Sequence, residues 1–310
     1  MKLFGPKASL AGARELAREL GLGLAEHEER EFEDGEFKIR PLESVRRERA
    51  VIYHSLAGGP AGSVNDKLMR ALVLAGALKD AGATEVTLVA PYLAYARKDR
   101  RTKPRDPIST RYVAQMIEAV GIDEVIAVDV HNPAAFENAF RCRTRNVDPV
   151  PVFVGHFGAL AESAERVVVV SPDAGGVKRA RHFAALLADG VGRPVDLAFV
   201  EKHRSEGRVT GELFAGDVLD ATVIVIDDMI CGGTTMRRAA SLCLERGARS
   251  VHAAATHGVF APEAADALGP GSLASVVVMD TVCDVRERGR AFAAKLVVLE
   301  ISGLLVRALG

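Results

Sequence analysis

Two adjacent carboxylates and a run of small residues hold the densest chemistry in the chain. Asp227 and Asp228 follow the β-branched run Thr222-Val-Ile-Val-Ile226, the pattern of a strand buried on both faces. Just beyond them, Cys231-Gly232-Gly233-Thr234-Thr235 opens a helix expected to run through Arg246. A glycine and hydroxyl turn feeding a helix N-terminus aims backbone N–H groups and hydroxyls at an anion, usually a phosphate. Neighbouring carboxylates accept hydrogen bonds from sugar hydroxyls. The segment is therefore read as a holder for a phosphate and a diol together, as in a ribose phosphate. On this stretch alone a plainer reading stays open, a tight strand-to-helix turn whose acids are solvated or cap the helix.

Other candidates also follow apolar runs. Val86-Thr-Leu-Val-Ala-Pro91 leads into Tyr92–Arg105, where Arg97-Lys98-Asp99-Arg100-Arg101-Thr102-Lys103-Pro104-Arg105 holds six basic residues in nine. That is either a polyanion-binding loop or a solvated charge run. A strand over 123–129 ends in Asp129-Val-His131-Asn132, where the histidine is either structural or a ligand for metal or phosphate. Arg166–Val170 runs into Ser171-Pro-Asp173-Ala-Gly-Gly176, again strand, acid and glycine turn. Glu201-Lys202-His203-Arg204-Ser-Glu-Gly-Arg208 has few apolar anchors and is expected to be a mobile loop. Glu29–Phe37 carries Asp34-Gly35 at its turn and Phe32 among acids, which reads as a hairpin.

The elements that must position these groups alternate. Strands are expected over 50–55, 86–91, 123–129, 166–170, 195–200, 250–256, 273–279 and 295–300. Helices are expected over 9–20 with Ser9 as cap, 65–81, 109–120 with Ser109 as cap, from Val177, and 301–309. The βα rhythm predicts two parallel-sheet α/β units, with a seam near Pro149-Val-Pro151. The first is expected to span 1–147 and regain 290–310; the second is expected to span 148–289. The net charge of −1 over 310 residues gives no basic surface for nucleic acid. No signal-peptide core and no membrane-spanning apolar run occur. Cys142, Cys231, Cys243 and Cys283 are too far apart in sequence to form a redox or metal pair, and are expected as reduced thiols. A cytoplasmic protein follows. Neither a P-loop nor a Gly-x-Gly-x-x-Gly after a strand is present. What remains suits transfer from a polyphosphate to a sugar, mostly by positioning and neutralising charge.

In Phe32-Glu-Asp-Gly-Glu36, Glu43-Ser-Val-Arg46, Asn65-Asp-Lys-Leu-Met69, Pro91-Tyr-Leu-Ala-Tyr-Ala-Arg97, Arg105-x-Pro-Ile108, Asp129-Val-His131, Ser171–Gly176, Lys202-x-Arg204, Asp227-Asp-Met and Thr256-His-Gly-Val-Phe260, the chain resembles the ribose-phosphate pyrophosphokinase family along nearly its whole length. The resemblance implies two domains of the type I phosphoribosyltransferase fold, Mg2+ dependence and a homo-oligomer, commonly a hexamer. It implies that ATP and ribose 5-phosphate give phosphoribosyl pyrophosphate (PRPP) and AMP. By the same resemblance Phe32, Asp34 and Glu36 bind adenine in a neighbouring subunit's site. Arg97, with Lys98 and Asp99 beside it, contacts ATP, and His131 and Asp173 hold the metal–ATP. Lys202 and Arg204 close over the site as the catalytic pair. Asp227 and Asp228 take the ribose hydroxyls, and Cys231, Gly232, Gly233, Thr234 and Thr235 take the 5-phosphate.

The chain departs from the family pattern in three places. The phosphate turn usually runs Asp/Ser-Thr-Gly/Ala-Gly-Thr, so a threonine hydroxyl is lost at Gly232 and Thr234 replaces a glycine. Altered ribose 5-phosphate affinity and strain at Thr234 are expected. Lys98 stands where glutamine is usual. Glu137-Asn-Ala-Phe140 replaces Gln-Gly-Phe-Phe. A non-catalytic, regulatory paralogue is the alternative that the altered turn raises. A transferase that consumes PRPP is a third reading, for which the basic loop and the Phe32 hairpin are superfluous.

Overall fold

The computed structural model describes residues 1–205, 208–269 and 271–310, and at 201–205 and 208–212 the backbone alone. The chain forms two units. One is 1–147 with 281–283 and 301–310, and the other is 148–280 with 284–300.

The first unit runs β1 (Lys2–Phe4), α1 (Leu10–Leu20), β2 (His27–Glu31), β3 (Phe37–Pro41), β4 (Arg49–Tyr53), α2 (Val64–Asp80), β5 (Glu85–Ala90), α3 (Ser109–Ala119), β6 (Glu124–Val128), α4 (Pro133–Ala139) and β7 (Arg143–Val147). Its sheet is ordered β1-β4-β5-β6-β7 and is parallel throughout. Val51, Ile52, Val86, Leu88, Val125 and Ile126 are fully buried, as a parallel sheet covered on both faces requires. β7 was not expected, because Arg-Thr-Arg-Asn-Val lacks an apolar run; it pairs along only one edge, with β6. β2 and β3 form a separate antiparallel hairpin.

Two expected caps are used otherwise. Ser9 precedes α1, but its hydroxyl lies 2.7 Å from His54 Nδ1 and accepts the Ser55 amide at 3.1 Å. Ser109 is the first helical residue of α3, with Ile108 before it. The strong cap belongs to α2, where Ser63 and Asp66 hydrogen-bond reciprocally in a capping box.

The second unit runs α5 (Val150–Ser163), β8 (Val167–Ser171), α6 (Val177–Val191), β9 (Asp196–Ser205), β10 (Arg208–Ala215), β11 (Thr222–Ile230), α7 (Thr234–Glu245), β12 (Ser250–Gly258), α8 (Ala264–Leu268), β13 (Ser275–Met279), α9 (Val285–Arg288) and β14 (Leu296–Leu299). The seven strands are ordered β10-β9-β8-β11-β12-β13-β14, all parallel except β10. Because Leu296–Leu299 extends this sheet beside β13, residues 290–300 lie with the second unit. Of the tail expected with the first unit, 301–310 is found there. Its helix α10 (Ser302–Leu309) packs on α1 and β7, and the Arg49 guanidinium donates to the Leu309 carbonyl at 3.2 Å.

The chain leaves β8 toward β9 on one side and returns through β11 to β12 on the other. That reversal is a topological switch point. Open α/β sheets bind ligands just beyond the strand ends at such a point.

Candidate active site

In the second unit, the β8–β11 pairing ends at Val225↔Val170, while β11 stays paired with β12 as far as Ile230↔Gly258. The strand expected to end at Ile226 therefore runs on through both acids. Their β8-facing edge is open where the Asp173 turn begins. Successive strand residues face opposite sides. Accordingly Asp227 is half-buried and Asp228 is only 3% exposed. The Asp228 amide donates to Asp227 Oδ1 at 2.9 Å.

The Asp173 turn is folded by its own acid. Asp173 Oδ1 accepts the amides of Gly175 (2.9 Å) and Gly176 (3.1 Å), and Ser171 Oγ donates to the Asp173 carbonyl at 2.6 Å. A Cβ on Gly176 would sit 2.7 Å from Ser171 Oγ and 3.9 Å from the Oδ1 atoms of both Asp173 and Asp227. This glycine lets the two acidic segments approach one another. Burial, and then Asp228, push the Asp227 carboxyl up to about 7, while Arg179 opposes the shift.

The phosphate turn differs from expectation at one point. The left-handed residue is Gly233 (φ 73°), which precedes α7, and Thr234 is the first helical residue. Thr234 therefore carries none of the expected strain. A Cβ on Gly233 would lie 3.0 Å from Ala267 Cβ and Leu268 Cγ, whereas one on Gly232 would meet nothing within 4 Å. No side chain caps α7. The amides of its first turn have no acceptor within the helix, which makes this end electropositive. Cys231, Gly232 and Thr235 are half-buried and Thr234 is exposed.

In the first unit, the basic loop leaves β5 beside the loop after β6. Asn132 joins them. Its Nδ2 donates to Asp99 Oδ2 at 2.6 Å, and its Oδ1 caps α4 by accepting the Ala135 amide at 3.2 Å. Arg97 and His131 are exposed. Lys98 Nζ is 2.7 Å from Asp106 Oδ2. Phe32, Asp34 and Glu36 gather at the β2–β3 tip, where the Phe32 amide donates to the Glu36 carbonyl (2.8 Å) and the Glu36 amide to Asp34 Oδ1 (3.0 Å). Phe32 is 42% exposed, with the Arg30 guanidinium 5.3 Å from its ring centroid.

Of the segment expected as a mobile loop, the backbone of 201–205 lies in β9 and that of 208 in β10, which pair with Lys202 opposite Glu212 and Arg204 opposite Val209. The side chains of Lys202 and Arg204 lie outside the described residues. His131 belongs to the first unit and Asp173 to the second. Among the described residues no group of three or more His, Cys, Asp and Glu could hold a metal alone. No described helix is long and apolar enough to cross a membrane. Sequence reasoning missed Asn132, although Asn before Pro133 is a helix-start signal. It also missed Asp106, whose partners only loop closure brings together.

Fold and site together define an α/β protein of two parallel-sheet units, the second with an acidic strand end and an uncapped helix start at its switch point. Residues 1–121 match the N-terminal domain of ribose phosphate pyrophosphokinase, and residues 158–270 match the phosphoribosyl transferase domain. The chain is 37% identical over 306 residues to the ribose-phosphate pyrophosphokinase of a Nostoc species, covering 98% of this chain and 88% of that one. It is also 37% identical over 306 residues to the chloroplastic ribose-phosphate pyrophosphokinase 1 of Arabidopsis thaliana, covering 98% and 73%. The crystal structure of phosphoribosylpyrophosphate synthetase from Mycobacterium smegmatis superposes with a TM-score of 0.87 at 32% identity, covering 99% of this chain and 97% of that one. The chain belongs to the ribose-phosphate pyrophosphokinase family.

Proposed function

We propose that the protein is a ribose-phosphate diphosphokinase, which converts ATP and ribose 5-phosphate to PRPP and AMP. The observation that carries this reading is that β11, at the switch point of the second sheet, carries Asp227 and Asp228 and then leads into the uncapped start of α7. A carboxylate for the diol and amides for the phosphate there match ribose 5-phosphate. The anomeric hydroxyl attacks the β-phosphorus. The bond from the anomeric oxygen to the β-phosphorus forms, the bond from the β-phosphorus to the oxygen bridging to the α-phosphorus breaks, AMP departs with that oxygen, and the hydroxyl proton passes to solvent.

In this reading Asp227 and Asp228 orient the ribose, and the 231–235 turn holds the 5-phosphate. Arg97, in the same ATP-side loop as Lys98 and Asp99, neutralises the ATP phosphates. Lys202 and Arg204 stabilise the charge that spreads in the transition state. A divalent ion, Mg2+, bound with the substrate phosphates would offset phosphate charge, and the family resemblance implies His131 and Asp173 as the protein groups for it. Mg2+ is commonly held by one or two carboxylates and fills its remaining positions with phosphates and water, a demand the Asp173 carboxylate meets. Asp173 Oδ1 serves two amides, leaving Oδ2 for the ion. The protein acts as a homo-oligomer, a hexamer in this reading, with the exposed Phe32 hairpin serving a neighbouring subunit's adenine site. A cytoplasmic setting accords with four cysteines present as thiols rather than disulfides. No observation favours the regulatory alternative.

The test follows AMP and PRPP from purified protein, Mg-ATP and ribose 5-phosphate. Stoichiometric AMP and PRPP are expected; no AMP across a range of phosphate and salt would sink the reading.

A further inference from the structure

The basic loop after β5 is folded around a single carboxylate oxygen. Asp106 Oδ2 accepts from Lys98 Nζ (2.7 Å), the Thr102 amide (3.0 Å), Thr102 Oγ1 (2.8 Å) and the Lys103 amide (3.0 Å). The Asp106 backbone closes the same loop, its amide donating to the Lys103 carbonyl at 3.2 Å and its carbonyl accepting Arg101 Nε at 3.2 Å. A polycationic loop repels itself and would otherwise spread. Asp106 offsets that repulsion from inside the loop and fixes its path, while Asp99 is turned to Asn132 of the next loop. Arg105 also holds a left-handed backbone (φ 70°), the kind of local strain that persists only when surrounding contacts over-determine it. Arg97, Arg100 and Arg105 pair with no carboxylate among the described residues.

We propose that Asp106 is the positioning residue of the ATP-side loop, and that Lys98 serves ATP through its pair with Asp106 rather than by touching phosphate. The pair divides the loop's cations. Lys98 is consumed internally as the clasp. The unpaired arginines are presented for the polyphosphate. This deepens the reading of Arg97–Arg105 as the ATP-binding loop and rests on it.

The experiment is a double-mutant cycle in the full-length enzyme, with Lys98→Met, Asp106→Asn and the double variant. A clasp gives each single variant a roughly tenfold rise in the KM for Mg-ATP, the size of a lost charge-assisted hydrogen bond. The double variant is then no worse than either single one. The KM for ribose 5-phosphate stays near wild type, and Asp106→Glu recovers part of the loss. Trypsin supplies a readout independent of catalysis, because Asp106→Asn should speed cleavage within 97–105. Additive effects of the two changes would show Lys98 acting on ATP directly and would overturn the proposal. So would an unchanged KM for Mg-ATP in Asp106→Asn, whatever the cleavage rate. A wild-type protein that releases no AMP would instead refute the diphosphokinase reading, while accelerated cleavage would still uphold Asp106 as the loop's organiser.

Discussion

Asn132 Nδ2 lies 2.6 Å from Asp99 Oδ2, so one side chain both caps α4 and ties the loop after β6 to the loop after β5. The Asp129–Asn132 segment, with its left-handed Asp129 (φ 44°), is thereby fastened to the polycationic loop. The two roles of Asn132 separate by substitution. Asn132→Ala loses both and should cost about 1 kcal/mol of stability from the cap alone. Asn132→Asp keeps a capping oxygen but sets a second carboxylate against Asp99. Its melting temperature should stay close to wild type while the KM for Mg-ATP rises severalfold. An Asn132→Asp enzyme with normal KM would show that the loops need no bridge.

Asp227 gives a pH signature. Its folded-state value is raised from 3.8 to about 7, first by burial and then by Asp228. A carboxyl raised by folding binds more protons folded than unfolded between those values. Its contribution to stability is full below the unfolded value and is lost as pH rises through the folded one. Asp227→Asn removes that loss. The melting temperature of Asp227→Asn relative to wild type should therefore climb between pH 4.5 and 7.5, as about 4 to 7 is the window that linkage sets. In wild type, the KM for ribose 5-phosphate should fall as pH rises through the same window, because the ionised carboxylate is the better acceptor for a sugar hydroxyl. A melting difference that stays flat with pH would place the charge elsewhere.

The sequence was most legible where one local rule decided the outcome. Val86–Ala90, Val167–Val170 and Thr222–Ile226 are β-branched or apolar runs, and each is a buried strand. Asp34-Gly35 turns a hairpin, with Gly35 at φ 90°. Elements whose partners lie far along the chain were hidden. β7 has no apolar run. The hydroxyl of Ser9 is taken by His54 and Ser55 rather than by its own helix. β11 continues through Asp227 and Asp228 only because β12 goes on pairing with it. The proposed site residues rest largely on family motifs. Asp106 and Asn132 do not, since each acts through a contact that loop closure creates.

Lys202 and Arg204 call for a kinetic rather than a structural test. Cations that act on charge developing in the transition state contribute to kcat and little to ground-state binding. Lys202→Ala should lower kcat by roughly a hundredfold or more, the usual cost of losing one such group. The Kd for ATP, measured by calorimetry without ribose 5-phosphate, should change by less than about twofold if the group acts only in the transition state. An equal loss in both quantities would make Lys202 an ordinary phosphate ligand.

Gly232 and Gly233 are neighbours with opposite tolerances. Gly233 holds φ 73°, and an added Cβ would press on Ala267 and Leu268 at 3.0 Å. Gly233→Ala should cost about 1–2 kcal/mol for the left-handed backbone alone, and should displace the start of α7 from the proposed 5-phosphate position. Gly232 has open space around its missing side chain and no left-handed backbone. Gly232→Thr should fold normally and return a hydroxyl to the turn. A neutral hydrogen bond to phosphate contributes about 1 kcal/mol, so the KM for ribose 5-phosphate should drop roughly fivefold. The comparison is made on both variants at one pH, with melting temperature beside KM. A Gly232→Thr enzyme with unchanged or higher KM and wild-type stability would mean that this position does not face the 5-phosphate, and that the amides of α7 hold it without help from a hydroxyl there.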